Sequence, residues 1–128
     1  MNENVSAVLI PLLTDASINN PGGDVLVVGP ALNFMHRAIS VQSFSDIYEM
    51  SGGTPSLTVE LEWSVDRVNW TRAGTPVASL SAVGMAASTP YTSNQNFGPF
   101  VRFVVKFNSV TVPGHVNASI VLNVRFFG

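Results

Sequence analysis

From Leu57 to Val65 apolar and polar residues alternate without a break: Leu57, Val59, Leu61, Trp63 and Val65 on one phase, Thr58, Glu60, Glu62 and Ser64 on the other. A period of two over nine residues is the signature of a β-strand with one buried and one solvated face, because successive side chains leave the pleat on opposite sides. Phe100 to Phe107 follows the same rule less cleanly, with Val101, Phe103, Val105 and Phe107 opposite Phe100, Arg102, Val104 and Lys106, so it belongs in the middle of a sheet or against a partner. Ala118 to Phe126 sends Ala118, Ile120, Leu122, Val124 and Phe126 inward, with Ser119, Asn123 and Arg125 outward. Weaker runs span 5–13, 24–28, 37–44, 69–73, 77–80 and 109–112. Between them stand turn formers such as Asn19-Asn20-Pro21-Gly22-Gly23, Ser51-Gly52-Gly53-Thr54-Pro55, Gly98-Pro99 and Pro113-Gly114. Eight or nine short strands at such spacing predict an all-β chain, an antiparallel β-sandwich of jelly-roll type.

A chain of 128 residues buries roughly two-thirds of its unfolded surface in one core, so residues 1–128 are expected to form a single domain. Residues 1–23 are an N-terminal arm or an edge strand, and Met1 to Leu13 has the character to lie along another subunit's sheet edge. The apolar run Ala7 to Leu13 follows Asn2, Glu3 and Asn4 and contains Pro11; it lacks the basic flank of a signal peptide and the length of a membrane span. Gly84 to Phe97 reads as a long exposed connection, and Ser43 to Met50 has room for one helical turn.

Little in the chain announces a chemistry. Cysteine is absent, which removes disulfides, thiol catalysis and thiolate metal sites. One lysine and five scattered arginines form no basic run, so nucleic acid is not an expected partner. His36 and His115 have no metal-ligand spacing and read as loop-proximal and solvated. Glu60 and Glu62 share a strand face as acid/base pairs do, yet a solvated outer face explains them more simply. The run Asp15 to Asp24 has oxygen ligands in series but no Gly at its sixth position and Leu26 at its twelfth, so it reads as an Asx-rich turn. No nucleophile elbow, phosphate loop or dinucleotide fingerprint occurs, and no cofactor is expected. For carbohydrate, Trp63 is assigned to the core and Tyr91 is the better exposed contact, with Trp70 as a second ring that a carbohydrate-binding module would use.

The surface says more. Ser, Thr and Asn number 33 of 128 residues while charged residues are only 11%, well under the usual share of about a quarter. So few charges protect an isolated monomer poorly, and burial against copies of itself is the expected remedy. The hairpin from Glu62 to Trp70 (EWSVDRVNW), followed by Gly98 to Val105 (GPFVRFVV), resembles two groups of β-sandwiches. One is the small structural proteins of tailed bacteriophages, which carry a similar S-x-D-x-x-x-W hairpin. The other, more weakly, is the discoidin-like carbohydrate-binding jelly rolls, which have Gly where Arg67 stands. The resemblance implies that Asp66 accepts turn hydrogen bonds and that Trp70 returns to the core. It further implies a non-enzymatic virion protein made in a host cytoplasm: a capsid decoration or cement protein, or a tail-associated one. Its partners would be itself, as a homo-oligomer such as a trimer, and a major capsid protein, with no membrane involved. The alternative is a carbohydrate-binding adhesion module. Tyr91, Phe97, Phe100 and Trp70 are the expected interface or ligand contacts.

Overall fold

The computed structural model describes residues 5–21, 24–33, 38–52, 55–93, 99–108 and 114–127. Their strands are β1 (Val5–Asn20), β2 (Asp24–Val28), β3 (Leu32–Asn33), β4 (Ala38–Ser51), β5 (Ser56–Ser64), β6 (Thr71–Arg72), β7 (Ala78–Leu80), β8 (Gly84–Ala87), β9 (Tyr91–Ser93), β10 (Phe100–Asn108) and β11 (Gly114–Phe127). One sheet runs β1-β11-β4 and ends on β8 and β9, which both pair with β4; the other starts from β2 and β3 on β10, continues to β5 and ends on β6 and β7. Every described pairing is antiparallel. Three pairs of short segments thus share a neighbour, and the eleven strands fill eight positions, four per sheet, in a jelly roll.

The alternation predicts the core. Leu57, Val59 and Leu61 of β5, the four inward residues of β10, and Val116 to Val124 at every second position of β11 are all buried to 1% exposure or less. β10 is central, flanked by β2 and β5 along most of its length, which explains why its outward Val104 is buried too. β5 stops at Ser64, so Val65 leaves the alternation and is exposed. Trp63 is half-buried and packs against the core instead of within it.

Several local expectations are corrected. Ser43 to Met50 is strand throughout: β4 is held between β11 and the β8/β9 edge, and Ser43, Ser45 and Ile47 all face inward. Asp15 to Asn20 continues β1 instead of turning. Two register shifts, Pro11/Leu13 and Leu13/Ala16, absorb the mismatch with β11, and Asp15 takes a φ of 44° there. Asn20, fully buried, donates from Nδ2 to the Phe107 carbonyl at 3.1 Å, tying this strand to the opposite sheet. Residues 5–13 form an edge strand of the chain's own sheet, paired with β11. Within Gly84 to Phe97, β8 and β9 hydrogen-bond to β4, so the described part is not one open connection; all four residues of β8 are exposed and β9 has only three, which leaves no alternation to read, and 94–97 lie outside the described residues. His115 sits within β11 with Nδ1 2.7 Å from Asn19 Oδ1, not in a loop. His36 and the run 109–112 lie outside the described residues.

One glycine is required by packing. Gly29 donates its N–H to the Phe103 carbonyl at 2.8 Å, and a Cβ there would sit 2.8 Å from Leu12 Cδ2 and 2.9 Å from Phe103 O. Backbone cannot yield as a flexible side chain does. Gly29→Ala is expected to destabilise by roughly 1–2 kcal/mol, whereas Gly74→Ala, whose Cβ meets nothing within 4 Å, leaves the urea midpoint within error or slightly raised. Equal midpoints for the two variants would refute the close approach.

Candidate functional site

The β5–β6 hairpin is built around one carboxylate. Asp66 Oδ1 accepts from the Val68 and Asn69 backbone N–H groups, both at 2.9 Å, and from Ser64 Oγ at 2.9 Å, while Oδ2 accepts from Asn69 Nδ2 at 3.0 Å. Ser64 Oγ in turn accepts from the Arg67 N–H at 2.9 Å. Arg67 takes a φ of 62°, the left-handed conformation that glycine adopts most easily, and its guanidinium lies 4.8 Å from the Phe100 ring centroid. The turn is thus held by caps where composition alone would not favour it. These hydrogen bonds, led by the Asn69 and Val68 amides, pull the Asp66 carboxyl well below the usual carboxylate range.

A consequence for acid stability follows. A carboxyl that titrates lower folded than unfolded gives a stabilisation that is complete above its unfolded pKa of about 4 and drains away as the pH falls through the folded value. Between pH 5 and 2, on the order of the window where this occurs, the thermal midpoint of the native chain is expected to fall more steeply than that of Asp66→Asn. Parallel curves would show that the turn does not carry this linkage.

Beside the hairpin, the outward faces of β5, β6 and β10 carry a charge ladder. Glu62, 8% exposed, accepts from Arg102 Nε at 2.8 Å and from Arg72 Nη2 at 3.1 Å, and Arg72 Nη1 reaches Glu60 at 3.2 Å. The Arg102 guanidinium also lies 4.1 Å from the centroid of Trp70. The two glutamates therefore serve as counter-ions, and the expectation of a solvated face is corrected at Glu62, which is buried because Arg72 and Arg102 close over its carboxylate. Trp70 does not return to the core; it is half-buried against Arg102 on the outside.

The outer face of the β1-β11-β4-β8 sheet is of another kind. Pro11, Val121, Phe44 and Ala87 lie in one register row across all four strands. Phe44 is 44% exposed, and Leu9 and Met85 in the adjoining rows are 67% and 85% exposed. Toward the β1 bulge the face turns polar: Tyr48 Oη donates to Asp15 Oδ1 at 3.0 Å and lies 2.9 Å from Ser119 Oγ, which accepts from the Asp15 N–H at 2.9 Å. Sequence reasoning missed this band, because nothing local places Phe44 beside Val121 and Pro11.

Of the four expected contact residues, Trp70 and Phe100 come together at the hairpin end of one sheet, each under an arginine. Tyr91 belongs to the other sheet, on β9, half-buried and packed against the core instead of exposed on a loop; burial raises its phenol pKa. Phe97 lies outside the described residues. Among the described residues no three of His, Cys, Asp and Glu converge to hold a metal ion, and no helix is long and apolar enough to cross a membrane.

By fold the chain is similar to a virus-particle protein. The VP2 subviral particle of infectious bursal disease virus aligns with a TM-score of 0.64 at 12% identity, over 97% of this chain and 33% of that one. The Gx strain of the same virus gives 0.59 at 14%, over 98% and 32%. The chain thus spans about a third of the length of these neighbours. A disulfide-linked pilus protein of Bacillus endospore appendages aligns at 13% identity over 99% of this chain and 91% of that one, with a TM-score of 0.44. No protein-family model and no curated protein matches the sequence. The likeness to VP2 bears out the β-sandwich of jelly-roll type.

Proposed function

We propose that this chain is a non-enzymatic structural subunit of a virus particle, specifically a decoration or cement protein of a tailed-phage head, which works by packing against copies of itself. The observation that carries this reading is the apolar band across the outer face of the β1-β11-β4-β8 sheet. One apolar row across four strands, with the exposed Leu9 and Met85 at its flanks, on a chain with 11% charged residues, favours contact with a second surface of the same character. A closed cyclic oligomer such as a trimer would cover the band in every copy. The fold similarity to a protein that forms subviral particles supports the reading at the level of architecture.

The test is the absolute mass of the purified chain by light scattering across a concentration series. A stable trimer or larger species is expected, with Phe44→Lys shifting it to monomer. A native chain that is monomeric throughout, and that also fails to bind purified phage heads, would overturn the assignment.

A further inference from the structure

A second region answers to a different ligand. Between the β6–β7 connection and the β8–β9 edge lies an open hollow of about 440 Å³, lined by Thr75, Thr89, Tyr91, Thr92 and Ser93 and by three apolar residues. That volume falls within the range of about 300–1,000 Å³ usual for small-molecule sites. Five of its eight lining residues carry a hydroxyl, and none is Asp, Glu, Lys, Arg or His. An ionic ligand would find no countercharge in these walls, whereas a neutral polyol meets donors and acceptors that match its own. Tyr91 adds an aromatic surface held by packing against the core, so its ring is already ordered before anything binds. Thr92 and Ser93 also line a neighbouring hollow of about 390 Å³ with Ser40 and Phe127, which extends the same neutral, hydroxyl-rich surface along β9.

The geometry points to a binding site for an uncharged saccharide at the hollow around Tyr91, with the ring facing the C–H side of a pyranose and the threonine hydroxyls pairing with its hydroxyls. This inference is independent of the assembly reading, since the hollow and the apolar band use different residues.

Saturation-transfer difference NMR on the full chain tests it, with the methyl glycosides of glucose, galactose and N-acetylglucosamine as probes at about 1–10 mM, the range in which single-site contacts of this size are populated. At least one glycoside is expected to receive saturation. Thr89→Lys, at an exposed position that leaves the core untouched, places a long charged chain in the hollow and should weaken the signal about tenfold or more. Tyr91→Phe keeps the ring and removes the phenol, and should weaken binding by a few-fold, of the order of one lost hydrogen bond. Absence of transfer from all three glycosides would overturn the site. So would transfer that Thr89→Lys leaves unchanged, because the sugar would then bind elsewhere.

Discussion

Phe107→Ala is expected to lower the unfolding free energy by about 3–5 kcal/mol, while Phe44→Ala costs under about 1 kcal/mol in the same chain. Both changes delete the same ring from a β-strand. Phe107 is fully buried on the inward face of β10, between β2 and β5, and its carbonyl is the acceptor for Asn20 from the opposite sheet. Its truncation removes buried apolar area and leaves a void that two hydrogen-bonded sheets cannot collapse to fill. Phe44 is 44% exposed, on the outward face of β4. Urea midpoints at constant slope, taken at a concentration low enough for the chain to be monomeric, measure the difference. Should Phe107→Ala not fold, Phe107→Leu, expected to cost on the order of 1 kcal/mol, keeps the comparison open. Similar losses at the two positions would mean that the sheet faces are assigned wrongly.

The second large effect is expected at Glu62. Glu62→Ala should destabilise by about 2–3 kcal/mol, less than the 3–5 typical of a fully buried pair because both guanidinium partners keep some water contact. The two arginines are left differently. Arg72 retains Glu60 at 3.2 Å, whereas among the described residues Arg102 keeps the Trp70 ring at 4.1 Å and no carboxylate. Removing Arg102 as well therefore restores part of the loss, and a double-mutant cycle between Glu62 and Arg102 should show clear coupling. Additive effects would show that the ladder is ornamental and that its members are solvated separately.

These two residues also mark what could be read before the structure. The inward sets of β5, β10 and β11 were legible because alternation is a local property: a strand shows its buried face in every second residue, whatever it pairs with. The turn at Asp66 was legible for the same reason, since a short side chain caps amides two and three residues away. Expectations failed where the determining contacts are distant. β8 and β9 are strands because β4 offers them backbone partners, not because their side chains alternate. The resemblance implies a Trp70 returned to the core, but the ring lies outside, because Arg102, thirty-two residues on, supplies a face for it.

The sequence by itself determined that this chain is a β-sandwich, which faces of β5, β10 and β11 are buried, and that its surface is poor in charge. Only the tertiary structure decided register. It set Glu62 against Arg102, aligned Pro11, Val121, Phe44 and Ala87 in one row, and shaped the open hollow beside Tyr91. Alternation fixes which side of a sheet a residue occupies, but each neighbour across the sheet comes from a strand tens of residues away. That choice is made by the packing of the whole core, which no local pattern contains.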